Sequence, residues 1–455
     1  MEEIKITSVL TTIALIVIGV LLFELIIFVH EFGHFITAKK SGVKVNEFSL
    51  GMGPKIFSFG KGETKYSLRL FPIGGFCAME GEDEESEEPR AFNNAKVWKR
   101  MIIIVAGAVM NIILGFVLMF VIVVQQPAYS SNVVSAFPVT SYSANSGLEK
   151  GDVIKSINGY SIWNSMDFNY PIATSNLETV NGNSLEIYKE DCCNFLYNMT
   201  ATLVNDKKIA DKDYEKVVTL LSKAAEEINA VTDKNSANKI YREYYKKINE
   251  SCNNKDYKIE KIVEKETRQR FLADIVVERN GKETELKNVQ FFTYTTKDNS
   301  EPKVSMDFYV EPIEKNVGSV TSQTFKQTVS TCKMVYASLG GLLSGKFSFN
   351  DMSGPVGIAS AITDAASTSL ESNGFMDAVN SIIYIMMIIT INLGLFNMLP
   401  FPALDGGRFV FLIIEAIRGK SVPRKAEAIV NGVGMALLIL LMIVITANDV
   451  FKLIW

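Results

Sequence analysis

Leu25-Ile26-Ile27-Phe28-Val29-His30-Glu31-Phe32-Gly33-His34 closes an apolar run that begins at Ser8. The two histidines are the only ones in 455 residues, and they stand four apart. Four residues is close to one helical turn, so both imidazoles leave the same face of a helix. H-E-x-x-H is the spacing in which two imidazoles hold Zn²⁺ and the glutamate serves as general base. The run from Ser8 to Val29 is long enough to cross a bilayer. Ionisable groups at that depth are costly, so their presence points to function rather than to a solvated helix face. Glu24 lies seven residues before Glu31, on a similar face. It carries no expected catalytic role. A protein-facing hydrogen bond or a water-lined crevice accounts for it.

Outward from that stretch, composition narrows the class. A formal net charge of −4 gives no nucleic-acid signal. Charged residues make up 21 % of a chain that is 48 % hydrophobic, which fits membrane helices joined to a sizeable soluble part. The start, Met1-Glu2-Glu3-Ile4-Lys5, lacks the basic opening of a secretory signal, so the first span is expected to be retained. Cys77, Cys192, Cys193, Cys252 and Cys332 include no C-x-x-C pair, so a second zinc site is unsupported. A disulfide among Cys192, Cys193 and Cys252 and a set of free buried thiols are both compatible with the spacing.

Four spans are expected, at roughly 8–36, 101–124, 375–398 and 429–448. Lys39, Lys40, Lys44, Lys96, Lys99 and Arg100 crowd the first connection, and Arg408, Arg418, Lys420, Arg424 and Lys425 the last. That bias places both connections in the cytoplasm and the long central region outside. The zinc motif and the Pro400–Gly407 stretch then fall at the same membrane depth.

Residues 43–80 alternate apolar and polar, with turn signals at Gly51 to Pro54 and at Gly60 to Gly62. This is a β-hairpin pattern, and Phe71-Pro72-Ile73-Gly74-Gly75-Phe76 is apolar enough to lie against the bilayer. The acidic run Glu80 to Glu88 reads as a solvated loop. Past the second span, Ser146 to Gly159 reads as turn, strand, turn. Leu272 to Glu278 is a β-rich run, followed by the hairpin signal Arg279-Asn280-Gly281-Lys282. Residues 177–270 differ, being rich in Lys, Glu, Asn and Tyr with helical spacing, and read as a helical insertion in a β domain.

A catalytic zinc needs a third protein ligand and an open position. With no third histidine and no obvious cysteine, a carboxylate is expected. Asp405 is the best candidate, in Asn397-Met398-Leu399-Pro400-Phe401-Pro402-Ala403-Leu404-Asp405-Gly406-Gly407. The prolines break a helix at the membrane edge, and the glycines permit backbone that is costly elsewhere.

His30 to His34 together with Asn397 to Gly406 resembles the site-2 protease family of intramembrane zinc metalloproteases, in its RseP-like bacterial branch. Gly147-Leu148, Gly151-Asp152, Ile154 and Ile157-Asn158-Gly159 resemble the PDZ domain of that branch. Gly354-Pro355-Val356-Gly357-Ile358 resembles its segment before the third span. The resemblance covers nearly the whole chain except residues 177–270. It implies a polytopic α-helical membrane protein with about four transmembrane helices. A membrane-associated β-hairpin and an extracytoplasmic PDZ-like α+β domain with a helical insertion complete it. The expected divisions are 1–125 for the first two spans and the hairpin, 126–176 and 271–320 for the PDZ-like domain, 177–270 for the insertion, 321–374 for a linker with an amphipathic segment, and 375–455 for the last two spans.

The resemblance further implies that His30, His34 and Asp405 are zinc ligands and Glu31 the general base. Asn397 would hold the substrate backbone, and the hairpin, through Tyr66, Leu68 and Leu70, would pair with an unwound substrate. The cofactor is Zn²⁺, the location a bacterial cytoplasmic membrane, and the partners the bilayer and single-span membrane-protein substrates. Only one PDZ unit is recognisable, which departs from the branch. A membrane zinc transporter or sensor, or a PDZ-type scaffold with a vestigial site, are the competing readings. The first expects further intramembrane ligands along a path, and the second does not need an intact Glu31.

Overall fold

The computed structural model describes residues 2–60, 62–82, 84, 86–138, 141–174, 177–205, 209, 211–252, 254, 257–262, 267–294, 303–348 and 352–454. The chain divides into two compact units. One comprises Met1–Pro127 with Glu314–Trp455, and the other Ala128–Ile313.

The first unit opens with α1 (Glu2–Ser41), β1 (Val45–Phe59), β2 (Lys65–Met79) and α2 (Val97–Gln125). The second contains β3 (Ala128–Ala136), α3 (Tyr142–Asn145), β4 (Val153–Ile157), β5 (Tyr160–Ser161), α4 (Asn169–Ala173) and β6 (Leu177–Asn181). It continues with α5 (Leu185–Asn205), α6 (Asp211–Ala230), α7 (Lys234–Ser251), β7 (Thr267–Arg279), β8 (Lys282–Tyr294), β9 (Lys303–Ser305) and β10 (Tyr309–Glu314). The chain then completes the first unit with α8 (Val317–Leu343), α9 (Pro355–Asn373), α10 (Phe375–Asn397), α11 (Asp405–Arg418) and α12 (Arg424–Ile454).

Among the described residues, four helical stretches are long and apolar enough to cross a membrane: Ile13–Ser41, Val97–Gln125, Phe375–Asn397 and Arg424–Lys452. The second extends further toward its N-terminus than the apolar run. Lys99 and Arg100 do not end it, because Arg100 turns inward, is buried, and pairs with Glu415 of α11. Small residues let these helices touch. A Cβ on Gly33 would sit 2.5 Å from the Ala106 carbonyl oxygen of α2. One on Gly115 would sit 2.4 Å from Ile391 Cγ1, and one on Gly394 2.8 Å from the Ala108 oxygen. α12 is clipped to the start of α9 by Asp449, whose Oδ2 accepts from the Gly354 and Gly357 N–H groups at 2.9 and 2.8 Å.

β1 and β2 each double back at glycines, so the two strands make a sheet of four segments. Glu47 pairs with both Ala78 and Lys65, and Ser67 with both Ser49 and Ser58. The segments therefore run in the order 75–79, 45–50, 65–71, 55–59. Gly51 and Gly53 take φ of +79° and +86° at the first bend, where a side chain is strained. Phe28 and Phe35 of α1 pack on Phe48 of this sheet.

In the second unit the strands run β10-β3-β4-β7-β8-β9, with β5 beside β4 and β6 beside β7. Asn280 and Gly281 have φ of +53° and +75°, the type I′ signature that closes the β7–β8 hairpin. The buried carboxylate of Asp152 accepts from Arg279 Nε and Nη2, each at 2.7 Å, and so locks the Gly151-Asp152 turn to that hairpin. α5, α6 and α7 form a bundle with its own core, including Cys192, Leu196, Ala224, Ile228, Tyr241 and Ile248. The sheet core, including Ile154, Ile157, Phe168, Phe271 and Phe291, is separate. The described cysteines are free thiols.

Asn181 pairs with Thr267, so the bundle leaves and rejoins the sheet at adjacent positions. Replacing residues 182–266 by an Asn-Gly turn should therefore leave a folded, membrane-inserted protein with the zinc content of the parent. Metal analysis of the purified variant checks this, and aggregation or zinc loss contradicts it.

Candidate metal centre

The helical spacing of His30 and His34 brings their ring centroids to 4.9 Å, nearly edge-on. Their Nε2 atoms are 3.2 Å apart. Asp405, the first residue of α11, places its Oδ2 at 3.2 Å from His30 Nε2 and 3.4 Å from His34 Nε2. Zinc bonds of about 2.0–2.1 Å in a tetrahedron put donor atoms about 3.3–3.4 Å apart. The three donors thus form one face of such a tetrahedron. Asp405 Oδ2 is buried and makes no hydrogen bond despite its nearness to both rings, as expected of atoms aimed at a common point rather than at each other. His30, His34 and Asp405 are the group among the described residues with metal-holding spacing.

The rings are held from behind. His34 Nδ1 donates to the Ile103 carbonyl oxygen of α2 at 2.8 Å, which leaves the Nε2 lone pair facing the site. His30 Nδ1 lies 3.2 Å from the side-chain amide of Asn111, a fully buried residue of α2. A ligating ring needs an acceptor there, and Asn111 Oδ1, otherwise without a partner, supplies it when the amide turns over. Gly107 of α2 faces the rings. A Cβ at that position would sit 2.4 Å from His34 Nε2 and 2.8 Å from His30 Cε1.

Asn397, at the end of α10, brings its amide nitrogen 3.5 Å from His30 Nε2. Glu31 is half-buried, and β2 passes beside it: a Cβ on Gly75 would sit 3.4 Å from Glu31 Cγ. Tyr66 stacks on Phe59 and packs against Phe35, whereas Leu68 and Leu70 are exposed. Tyr66 and Leu68 have sheet partners on both sides, Phe48 with Phe59 and Leu50 with Phe57. A further strand has segments 55–59 and 75–79 as edges, and 75–79 is the one beside Glu31.

The turn before Asp405 is built differently from the expectation for its glycines. Gly406 and Gly407 are helical residues of α11. They are small because a Cβ would sit 2.1 Å from the Leu399 oxygen and 2.4 Å from the Phe401 oxygen. The left-handed residue is Ala403, at φ +73°.

Asn111 is not among the residues expected from sequence, although a signal exists. It is the sole polar side chain between Met101 and Val124. The rule that draws attention to an ionisable group in a span applies to an amide as well.

Two imidazoles and a carboxylate leave a fourth tetrahedral position open, the pattern of catalytic rather than structural zinc. On helices apolar enough to span a bilayer, this defines a membrane-embedded metal-dependent hydrolase. Residues 18–441 match Peptidase family M50. A Clostridium acetobutylicum protein described as a candidate zinc metalloprotease is 32 % identical over 96 % of this chain and 97 % of its own length. The regulator of sigma-W protease RasP of Bacillus subtilis and the zinc metalloprotease RasP of Geobacillus kaustophilus are each 29 % identical, over 97 % of this chain and 99 % of theirs. The chain belongs to peptidase family M50, the site-2 proteases. It is an intramembrane zinc metalloprotease of regulated intramembrane proteolysis.

Gly107→Val puts methyl groups where the donor atoms converge. The variant should still insert in membranes but carry almost no zinc by metal analysis of the purified protein. A normal zinc content would contradict the role given to this contact.

Proposed function

We propose that His30, His34 and Asp405 hold the zinc and that Glu31 is the general base for hydrolysis of a peptide bond in a substrate's transmembrane segment. The observation that carries this reading is the triangle of donor atoms with edges of 3.2, 3.2 and 3.4 Å. When bound, zinc supplies Lewis-acid polarisation of the scissile carbonyl and acidifies water. Glu31, next to His30 on α1, takes the proton of the attacking water and passes it to the leaving amine. Asn397 donates to the substrate backbone from within reach of the same ring.

A substrate helix hides its carbonyls in its own hydrogen bonds, so it must open before it can be cut. The 75–79 segment is an edge of the β1–β2 sheet and runs beside Glu31, and the opened substrate segment adds there as a strand. Exposed Met52, Ile56, Phe57, Phe59, Leu70 and Phe71 suit a sheet that lies against lipid. Single-span proteins are the substrates that fit this opening most simply. The name of the Bacillus subtilis relative refers to regulation of sigma-W. By that likeness an anti-sigma factor is the substrate class to test first.

The Lys and Arg bias places the sheet, Asp405 and α11 on the cytoplasmic side of the cell membrane, and residues 128–313 outside. In the outer unit, the Gly147–Gly159 run and the strands around it are read as a PDZ-like domain that limits substrate size. The α5–α7 bundle is its insertion.

Glu31→Gln should keep stoichiometric zinc and lose at least about a hundred-fold in cleavage of a single-span substrate. Asp405→Ala should lose zinc. Normal cutting by the Glu31→Gln variant, or full metal in the Asp405→Ala variant, would refute the corresponding assignment. The transporter reading lacks support: among the described residues, His30, His34 and Asp405 are the group with ligand spacing, with no chain of further sites.

A further inference from the structure

α12 contributes no ligand, yet it touches the turn that aims Asp405. The side chain of Asn431, about two turns into α12, accepts at Oδ1 from the Ala403 N–H at 3.2 Å. One turn further along, Gly434 is buried against the same segment: a Cβ there would sit 2.5 Å from Pro402 Cβ and 2.8 Å from the Pro402 oxygen. Ala403 is the non-glycine residue of this turn in the left-handed region, at φ +73°. Alanine has a Cβ and no side-chain group to hydrogen-bond locally, so that conformation is strained and persists where the surroundings hold it. Leu404, the residue between Ala403 and Asp405, caps α11 with no side-chain hydrogen bond. The direction of the Asp405 carboxylate is therefore set by the backbone at 403 and 404.

From this geometry we infer that Asn431 is a positioning residue for the zinc centre. Its hydrogen bond holds Ala403 left-handed, and that conformation points Asp405 Oδ2 at the two imidazoles. The fourth span thereby becomes part of the metal site. Its first turns fix a ligand although none of its side chains reaches the metal. Displacing α12 from Pro402 and Ala403 releases the carboxylate and weakens the site.

The inference rests on Asp405 being a zinc ligand, as proposed above. The test measures zinc affinity by chelator competition on the purified full-length protein, so it does not depend on activity. Asn431→Ala should bind zinc about ten-fold more weakly, the size expected when an outer-shell partner is lost. Asn431→Asp keeps an acceptor oxygen at the same place and should bind within about two-fold of the parent. Ala403→Gly takes φ +73° without strain. Combined with Asn431→Ala, it should restore most of the affinity, which a general packing role for Asn431 would not allow. Parent-like zinc binding by Asn431→Ala overturns the inference. So does equal weakening in Asn431→Ala and Asn431→Asp, or no rescue by Ala403→Gly. Asp405→Ala, run alongside, separates the two layers. Should it bind zinc like the parent, the ligand assignment itself is wrong. Should it lose zinc while Asn431→Ala does not, only the positioning role falls.

Discussion

Three donor atoms, at positions 30, 34 and 405, converge to within 3.4 Å of one another beside helices long and apolar enough to cross a membrane. Charged and polar groups at membrane depth are tolerated only where something compensates them. A divalent cation held as proposed would do this for two imidazoles and a carboxylate at once. Much of the membrane unit follows from that need. α1 must lie against α2 so that the Ile103 carbonyl and Asn111 can reach the outer nitrogens of the two rings. α10 must end, and α11 must begin, beside them.

Close approach makes that possible, and glycine makes close approach possible. Gly33 admits the Ala106 carbonyl, Gly107 leaves room for both rings, and Gly115 and Gly394 seat α2 against α10. Gly75 lets the edge of the β-sheet run past Glu31. None of these five has positive φ. Their value lies in missing side-chain volume rather than in conformational freedom. The exception in conformation is Ala403, held by a neighbour in place of a glycine.

The grouping of His30, His34 and Asp405 is legible in the sequence. Two histidines in the whole chain, at helical spacing and directly after an apolar run, leave little choice of ligands. The prolines and glycines around Asp405 mark irregular backbone at a depth where it requires a reason. The alternation between residues 43 and 80 is legible as hairpin strands. Its doubling into four segments is not, because the partners on both sides of Tyr66 and Leu68 follow from bends at Gly51, Gly53 and Gly74 whose register no local pattern records. The inward turn of Arg100 depends on Glu415, a partner far along the chain. Asn431 is beyond reach for the same reason. It sits in the polar opening of α12, where an asparagine is unremarked until the turn at Ala403 is seen beside it.

Zinc-edge X-ray absorption on the purified full-length protein reads the ligand set itself. The expected result is one zinc per chain, with a first shell of nitrogen and oxygen at about 2.0–2.1 Å and the outer-shell scattering of two imidazole rings. A sulfur shell at about 2.3 Å, a single imidazole, or no zinc at all would contradict it.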